Sequence, residues 1–194
     1  MHFNDLKSEI LNCRACKEKF GFEPNPIFCG NENAKIFHVS QAPSKSVHDT
    51  SKPFNDLSGK KLREEWYQVP DDVFYNPNMF YITAVAHCFP GKGKNGGDIK
   101  PPKECAKRWL LAHEIFTVKN DIYLIIGREA AMTFFNNDSY SQLIFEDQKI
   151  QGKPAFVLPH PSPLNIKWFK DNPTFLTERM PYIKDIIHKT LKIK

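Results

Sequence analysis

The sequence predicts an α/β protein, a three-layer sandwich with a central, mostly parallel sheet flanked by helices. Short runs rich in Ile, Val, Phe and Tyr alternate with amphipathic segments along the chain, the pattern of strands crossing over through helices. The polar and turn-forming stretches SQAPS, HCFPGKGKNGGD and PHPSPLN each follow a predicted strand, where functional loops of parallel sheets collect. The 194 residues suffice for one domain, 1–194, with a real core.

In chain order, residues 4–18 read as a helix with Leu6, Ile10 and Leu11 on one face, and 20–33 as irregular, broken by Pro24, Pro26 and Gly30. Strand 35–40, helix 57–67, strand 79–86, helix 102–117, strand 121–126 and a short helix 128–136 follow. Strands are expected around 142–146 and at 153–158. A terminal helical region starts near Pro173, with Asn172 as N-cap and Pro181 as a possible division.

Composition excludes several classes. Hydrophobic residues make up 41% and charged residues 25%, which argues against wholesale disorder. No run approaches the ~20 apolar residues of a membrane span. Residues 1–10 carry Asp5, Lys7 and Glu9 and lack an apolar signal core, so a cytoplasmic location and no membrane partner are expected. A net charge of +5 permits a polyanionic partner without requiring one. Nucleotide-binding glycine patterns are absent, and the run 91–97 reads as a flexible surface loop.

The 5 cysteines are an odd set for a disulfide framework and point instead to a metal site or free thiols. Cys13 and Cys16 form a Cys-x2-Cys pair; Cys88 and Cys105 are a second, wider pair. Four thiolates suit tetrahedral zinc or an iron–sulfur cluster equally. Four unrelated reduced thiols are the plainer alternative. Cys29 has no spaced partner and reads as a small packing residue.

These motifs together resemble the uracil-DNA glycosylase superfamily, nearest its four-cysteine branch. Ser40-Gln41-Ala42-Pro43-Ser44 stands where that branch has Gly-Glu-Ala-Pro-Gly, and Pro53 to Gly59 where it has Pro-Phe-x-Gly-x-x-Gly. Tyr81 to Cys88 resembles Tyr-Ile-Thr-Asn-x-x-x-Cys, Ile125 to Ala130 the later strand-Gly-x-x-Ala turn, and His160-Pro161-Ser162-Pro163-Leu164 the second active-site motif. The resemblance implies a DNA partner, a glycosylase fold, and a 4Fe-4S cluster on Cys13, Cys16, Cys88 and Cys105, with one structural zinc as the alternative.

It also implies roles. Gln41 and His160 would be catalytic, His160 as donor to the base oxygen and Gln41 orienting water or the base edge. Phe54, Ala42 and Ala84 would border the base, Leu164 would wedge the stack, and Ser44 and Ser162 would meet phosphates, with Lys92, Lys94 and Lys100 adding charge. Lys45 and Lys52 read as surface residues, so no Schiff-base lyase is expected. Departures from the pattern matter. Ala84 replaces the asparagine that pairs with uracil, and Gln41 replaces a carboxylate. Another damaged base, read by Asn55, Thr83 or His87, is therefore an alternative, as is a non-catalytic nucleic-acid binder that acts as a monomer like the enzyme. An unrelated small-molecule enzyme of α/β type is a weaker third reading.

Overall fold

The computed structural model of the chain describes residues 1–21, 23–94, 96–135 and 139–193. Its centre is a 5-stranded sheet in the order β2-β1-β3-β5-β4. The strands are β1 (Ile36–Ser40), β2 (Phe80–Ala84), β3 (Ile122–Ile126), β4 (Gln148–Ile150) and β5 (Lys153–Leu158). The first three and β5 run parallel, and β4 pairs antiparallel at the edge. All of β2 and β3 is buried, which is why these strands read as continuous apolar runs. The other edge, beside β2, is covered by a single bridge in which Cys29 and Ile82 exchange both backbone bonds. This half-buried Cys29 packs against the main core, as a small packing residue would.

Helices cover both faces of the sheet: α1 (Phe3–Leu11), α2 (Lys17–Phe20), α3 (Lys45–Thr50), α4 (Leu57–Lys60), α5 (Asp71–Phe74), α6 (Lys103–Arg108), α7 (Ile115–Thr117), α8 (Arg128–Phe134), α9 (Tyr140–Phe145), α10 (Ile166–Asp171) and α11 (Met180–Leu191). Three π-helical segments, Lys61–Tyr67, Leu110–Glu114 and Phe175–Arg179, continue these helices with wider turns. The helix expected over 102–117 thus contains a turn in which Glu114 N–H reaches the Trp109 carbonyl at 3.0 Å. The consequence is that Glu114 points inward, fully buried.

Several expectations need correction. The helix predicted over 4–18 stops at Leu11 and resumes at Lys17; the intervening turn carries Cys13 and Cys16. The strand expected around 142–146 is helical α9, and strand β4 begins only at Gln148. A short apolar run has no period of its own, and Leu143 and Ile144 bury equally well from a helix. Asn172 does not cap the last helix: its amide donates back to the Trp168 carbonyl at 2.9 Å. Pro181 does mark a division: the π-helical segment Phe175–Arg179 gives way to α11 there, with Pro181 in the first turn where a missing N–H is tolerated. The predicted end of the eighth helix at Asn136 lies outside the described residues.

A main core fills both faces of the sheet, and a small satellite of Leu6, Ile10 and Trp109 packs beside Cys13, Cys105 and Phe28. The carboxyl ends of β1, β2 and β5 open on one side of the sheet. β2 lies on one flank of β1 and β3 on the other, so the strand order reverses at β1, where ligands of parallel sheets bind.

Candidate active site

At this end of the sheet lies a cavity of about 260 Å³, the scale of one small heterocycle. Gln41, Ala42 and Ser44 from the loop after β1, Phe54, Ala84 at the end of β2, and His160 and Ser162 after β5 all line it. The chain therefore brings together residues spread over more than half its length.

Phe54 owes its position to backbone engineering. It adopts a left-handed φ of 53°, a conformation that costs a non-glycine residue about 1–3 kcal/mol. Its carbonyl is held by Arg63 Nη1 at 2.8 Å, and Tyr75 donates to the Pro53 carbonyl at 3.0 Å. Gly59 is dictated by the same turn, because a Cβ there would lie 1.9 Å from the Phe54 carbonyl oxygen. The ring meets His38 edge-on, with centroids 4.8 Å apart. His38 is fully buried, and burial lowers its pKa to about 3, so Phe54 is backed by a neutral ring.

His160 is aimed by its own loop. Ser162 N–H donates to Nδ1 at 3.1 Å, which assigns the remaining ring proton to Nε2. Asn165 holds the His160 carbonyl at 3.2 Å, and Gly127, at φ 85°, lets the end of β3 pass beneath the imidazole. Desolvation by the surrounding walls depresses its pKa, outweighing the upward pull of Asp56 and Asp98. His160 is a neutral N–H donor.

The side-chain amide of Gln41 has no protein partner among the described residues, whereas its carbonyl accepts from Ala86 N–H at 3.2 Å. Ala84 is 4% exposed and offers only a methyl group. Ser44 and Ser162 spend their hydroxyls on local structure: Ser44 Oγ caps α3 and faces Asp56 Oδ2 at 3.4 Å, and Ser162 Oγ accepts from Leu164 N–H. Their backbone groups remain beside the cavity. Leu164 projects beyond it, 96% exposed.

Other expectations move. Of the alternative base readers, Thr83 lines the cavity but commits its hydroxyl to Glu114 at 2.9 Å, and His87 is buried beneath the cysteines. Asn55 is exposed, its amide 3.5 Å from Thr50 Oγ1. Lys92 and Lys100 are in ion pairs with Asp98 at 2.7 Å and Glu129 at 2.8 Å, so they are not unpaired charges of a basic patch. Lys45 and Lys52 do sit on the surface, Lys45 beside Asp49 and Lys52 over the Tyr75 ring. The cavity also holds two carboxylates that sequence reasoning missed, Asp56 and Asp98. Asp56 carried a readable signal, an acidic residue three positions before Gly59; its Oδ1 accepts from Gly59 N–H at 2.9 Å as the cap of α4.

A second, far tighter cleft of about 20 Å³ lies on the other side of the loop after β2. Cys13, Cys16, Cys88 and Cys105 all line it, with apolar walls from Ile10, Phe20 and Trp109. Burial first, and then the other three cysteines, push the Cys88 thiol up to about 12. A cation would relieve that repulsion, and the donor set is soft; the residues fit a thiolate centre. Side chains as placed include no group of three or more His, Cys, Asp and Glu, among the described residues, tight enough for a single ion. Beneath the cysteines, burial alone would discharge His87, yet Glu114 and Cys105 raise its pKa to about 10.

Fold, cavity and cysteine cleft define an α/β protein with a cavity of about 260 Å³ at its strand ends. The family model of the uracil DNA glycosylase superfamily matches residues 28–184, and the chain belongs to that superfamily. It is similar to the type-4 uracil-DNA glycosylase of Archaeoglobus fulgidus, 29% identical over 69% of this chain and 63% of that protein. It is also similar to the type-4 uracil-DNA glycosylase of Saccharolobus solfataricus, 25% identical over 67% of this chain and 57% of the relative. The chain thus spans less than two thirds of the length of either relative. No helix among the described residues is long and apolar enough to cross a membrane.

Proposed function

We propose that this chain is a monofunctional DNA repair glycosylase that hydrolyses the N-glycosidic bond of uracil or another damaged base flipped out of DNA. The observation that carries this reading is the convergence of Gln41, Phe54 and the Nε2–H of His160 on one cavity at the strand ends.

The chemistry follows from charge. Bond cleavage leaves negative charge on the departing base and positive charge on the sugar. His160 donates Nε2–H to the base carbonyl oxygen, and because it is neutral and pre-aimed, little reorganisation is needed as the charge grows. Phe54 stacks on the flipped base. Gln41 cannot take a proton, but its free amide orients water or the base edge. The Asp56 carboxylate, fixed by Gly59 and Ser44, faces the cationic sugar. Leu164 fills the stack that the nucleotide leaves, and the backbone around Ser44 and Ser162 meets phosphates.

The four cysteines would hold a 4Fe-4S cluster, which supplies a structural staple between the turn after α1, the loop after β2 and α6. The resemblance to the four-cysteine branch, with type-4 uracil-DNA glycosylases among the relatives, favours the cluster over a single zinc. The protein would work as a single-domain, cytoplasmic monomer with DNA as its partner.

The test is base release from oligonucleotides carrying uracil, hypoxanthine or xanthine, read as alkali-labile abasic sites. Release that disappears in His160→Ala supports the reading. A second reading, a non-catalytic nucleic-acid binder, is favoured by Ala84, which cannot pair with any base edge. Salt-sensitive DNA binding with no release from any of the three substrates would select it.

A further inference from the structure

We propose that His87 is a positioning residue for the thiolate centre, donating Nδ1–H to Cys105 Sγ while a buried brace of Glu114, Tyr81 and Thr83 holds its other face. The inference rests on the reading that the four cysteines bind a metal centre.

Geometry carries it. His87 Nδ1 lies 3.7 Å from Cys105 Sγ, hydrogen-bond range for sulfur, and a thiolate there can only accept. On the opposite side of the ring, Nε2 stands 3.1 Å from both Glu114 Oε2 and Thr83 Oγ1. Glu114 is itself anchored: Tyr81 donates to Oε1 at 2.6 Å and Thr83 at 2.9 Å. Glu114 Oε2 makes no hydrogen bond among the described residues, and the His87 ring, with Nε2 3.1 Å away, is the group that faces this buried oxygen.

A fully buried carboxylate is costly, and here the π-helical turn at Leu110–Glu114 is what delivers it inward. The glycosylase pocket makes no use of the pair. What the pair does is fix one imidazole against one cysteine, as outer partners fix the ligands of metal sites generally. The same brace ties the centre to β2, where Thr83 precedes Ala84 on the wall of the base cavity.

The test uses the full chain, loaded either with iron and sulfide or with zinc alone, and follows metal release to a chelator together with the visible spectrum. Circular dichroism establishes that each variant is folded. His87→Leu should release metal about 10–100-fold faster than wild type, with a shifted cluster spectrum. His87→Asn, whose amide N–H falls near the Nδ1 position, should recover most of the retention, and Glu114→Gln should lie between. Equal release from wild type and folded His87→Leu overturns the inference alone. So does equal acceleration in His87→Leu and His87→Asn, since packing rather than the N–H···S bond would then be responsible. A wild-type chain that retains neither iron nor zinc overturns the cysteine reading, and this inference with it.

Discussion

The two clefts flank the same short loop after β2, only three residues lying between Ala84 and Cys88, yet they are built on opposite rules. The base cavity is open, about 260 Å³, and lined with polar groups that have capacity to spare. The cysteine cleft is about 20 Å³ and largely apolar, with His87 on its wall 3.7 Å from Cys105 Sγ. Each has a histidine. At His160, an exposed residue, desolvation outweighs Asp56 and Asp98 and favours the neutral ring, whereas at fully buried His87 the Glu114 carboxylate and Cys105 outweigh burial and favour the charged one.

The sharpest way to break that contrast is at His160. His160→Ala should lower the rate of base release by about 10²–10³-fold while leaving DNA affinity nearly unchanged, as measured by single-turnover release and by binding to an uncleavable duplex. A comparable loss of affinity would make His160 a binding residue instead.

Next in size is the missing amide. Ala84→Asn should add about 1–3 kcal/mol of preference for uracil over other bases, read as a change in the ratio of release rates. No change in the ratio would mean that position 84 does not face the base edge.

Leu164→Ala should slow release severalfold from duplex DNA and hardly at all from single strands, because only a duplex has a stack to fill. Its side chain is 96% exposed, so stability should move by less than about 0.5 kcal/mol in a thermal melt.

The smallest effect concerns pH. His38 titrates near 3 in the fold against about 6.5 in an unfolded chain. Between those values the unfolded state binds a proton that the folded state refuses, so the stability is complete above about 6.5 and is lost as the pH falls toward 3. His38→Gln should flatten the decline of melting temperature between pH 6.5 and about 5, above most carboxylate titration. An unchanged slope would contradict the burial argument.

The strands were legible because β-branched and aromatic runs have no other good home than a buried sheet, and β1, β2, β3 and β5 all fall within two or three residues of where pattern placed them. The loops after β1 and β5 were legible as well, since strand ends gather function in parallel sheets. Local pattern failed where a long-range partner decides the outcome. Residues 142–146 became helix because Leu143 and Ile144 find β5's face, and nothing in five residues announces that. Glu114 falls within the helix read over 102–117; only the wider turn, invisible in residue periodicity, carries it to His87. Lys92 and Lys100 read as charge available to a DNA backbone because their partners, Asp98 and Glu129, are brought to them by loop geometry.

On the proposed function, a flipped base sits between Phe54 and His160. The most direct test is a crystal structure of the chain with a duplex carrying an uncleavable uridine analogue. The expected result is a uracil ring stacked on Phe54 with its carbonyl oxygen in hydrogen-bond reach of His160 Nε2. A uracil still paired within the duplex, or lodged anywhere away from those two side chains, would contradict it.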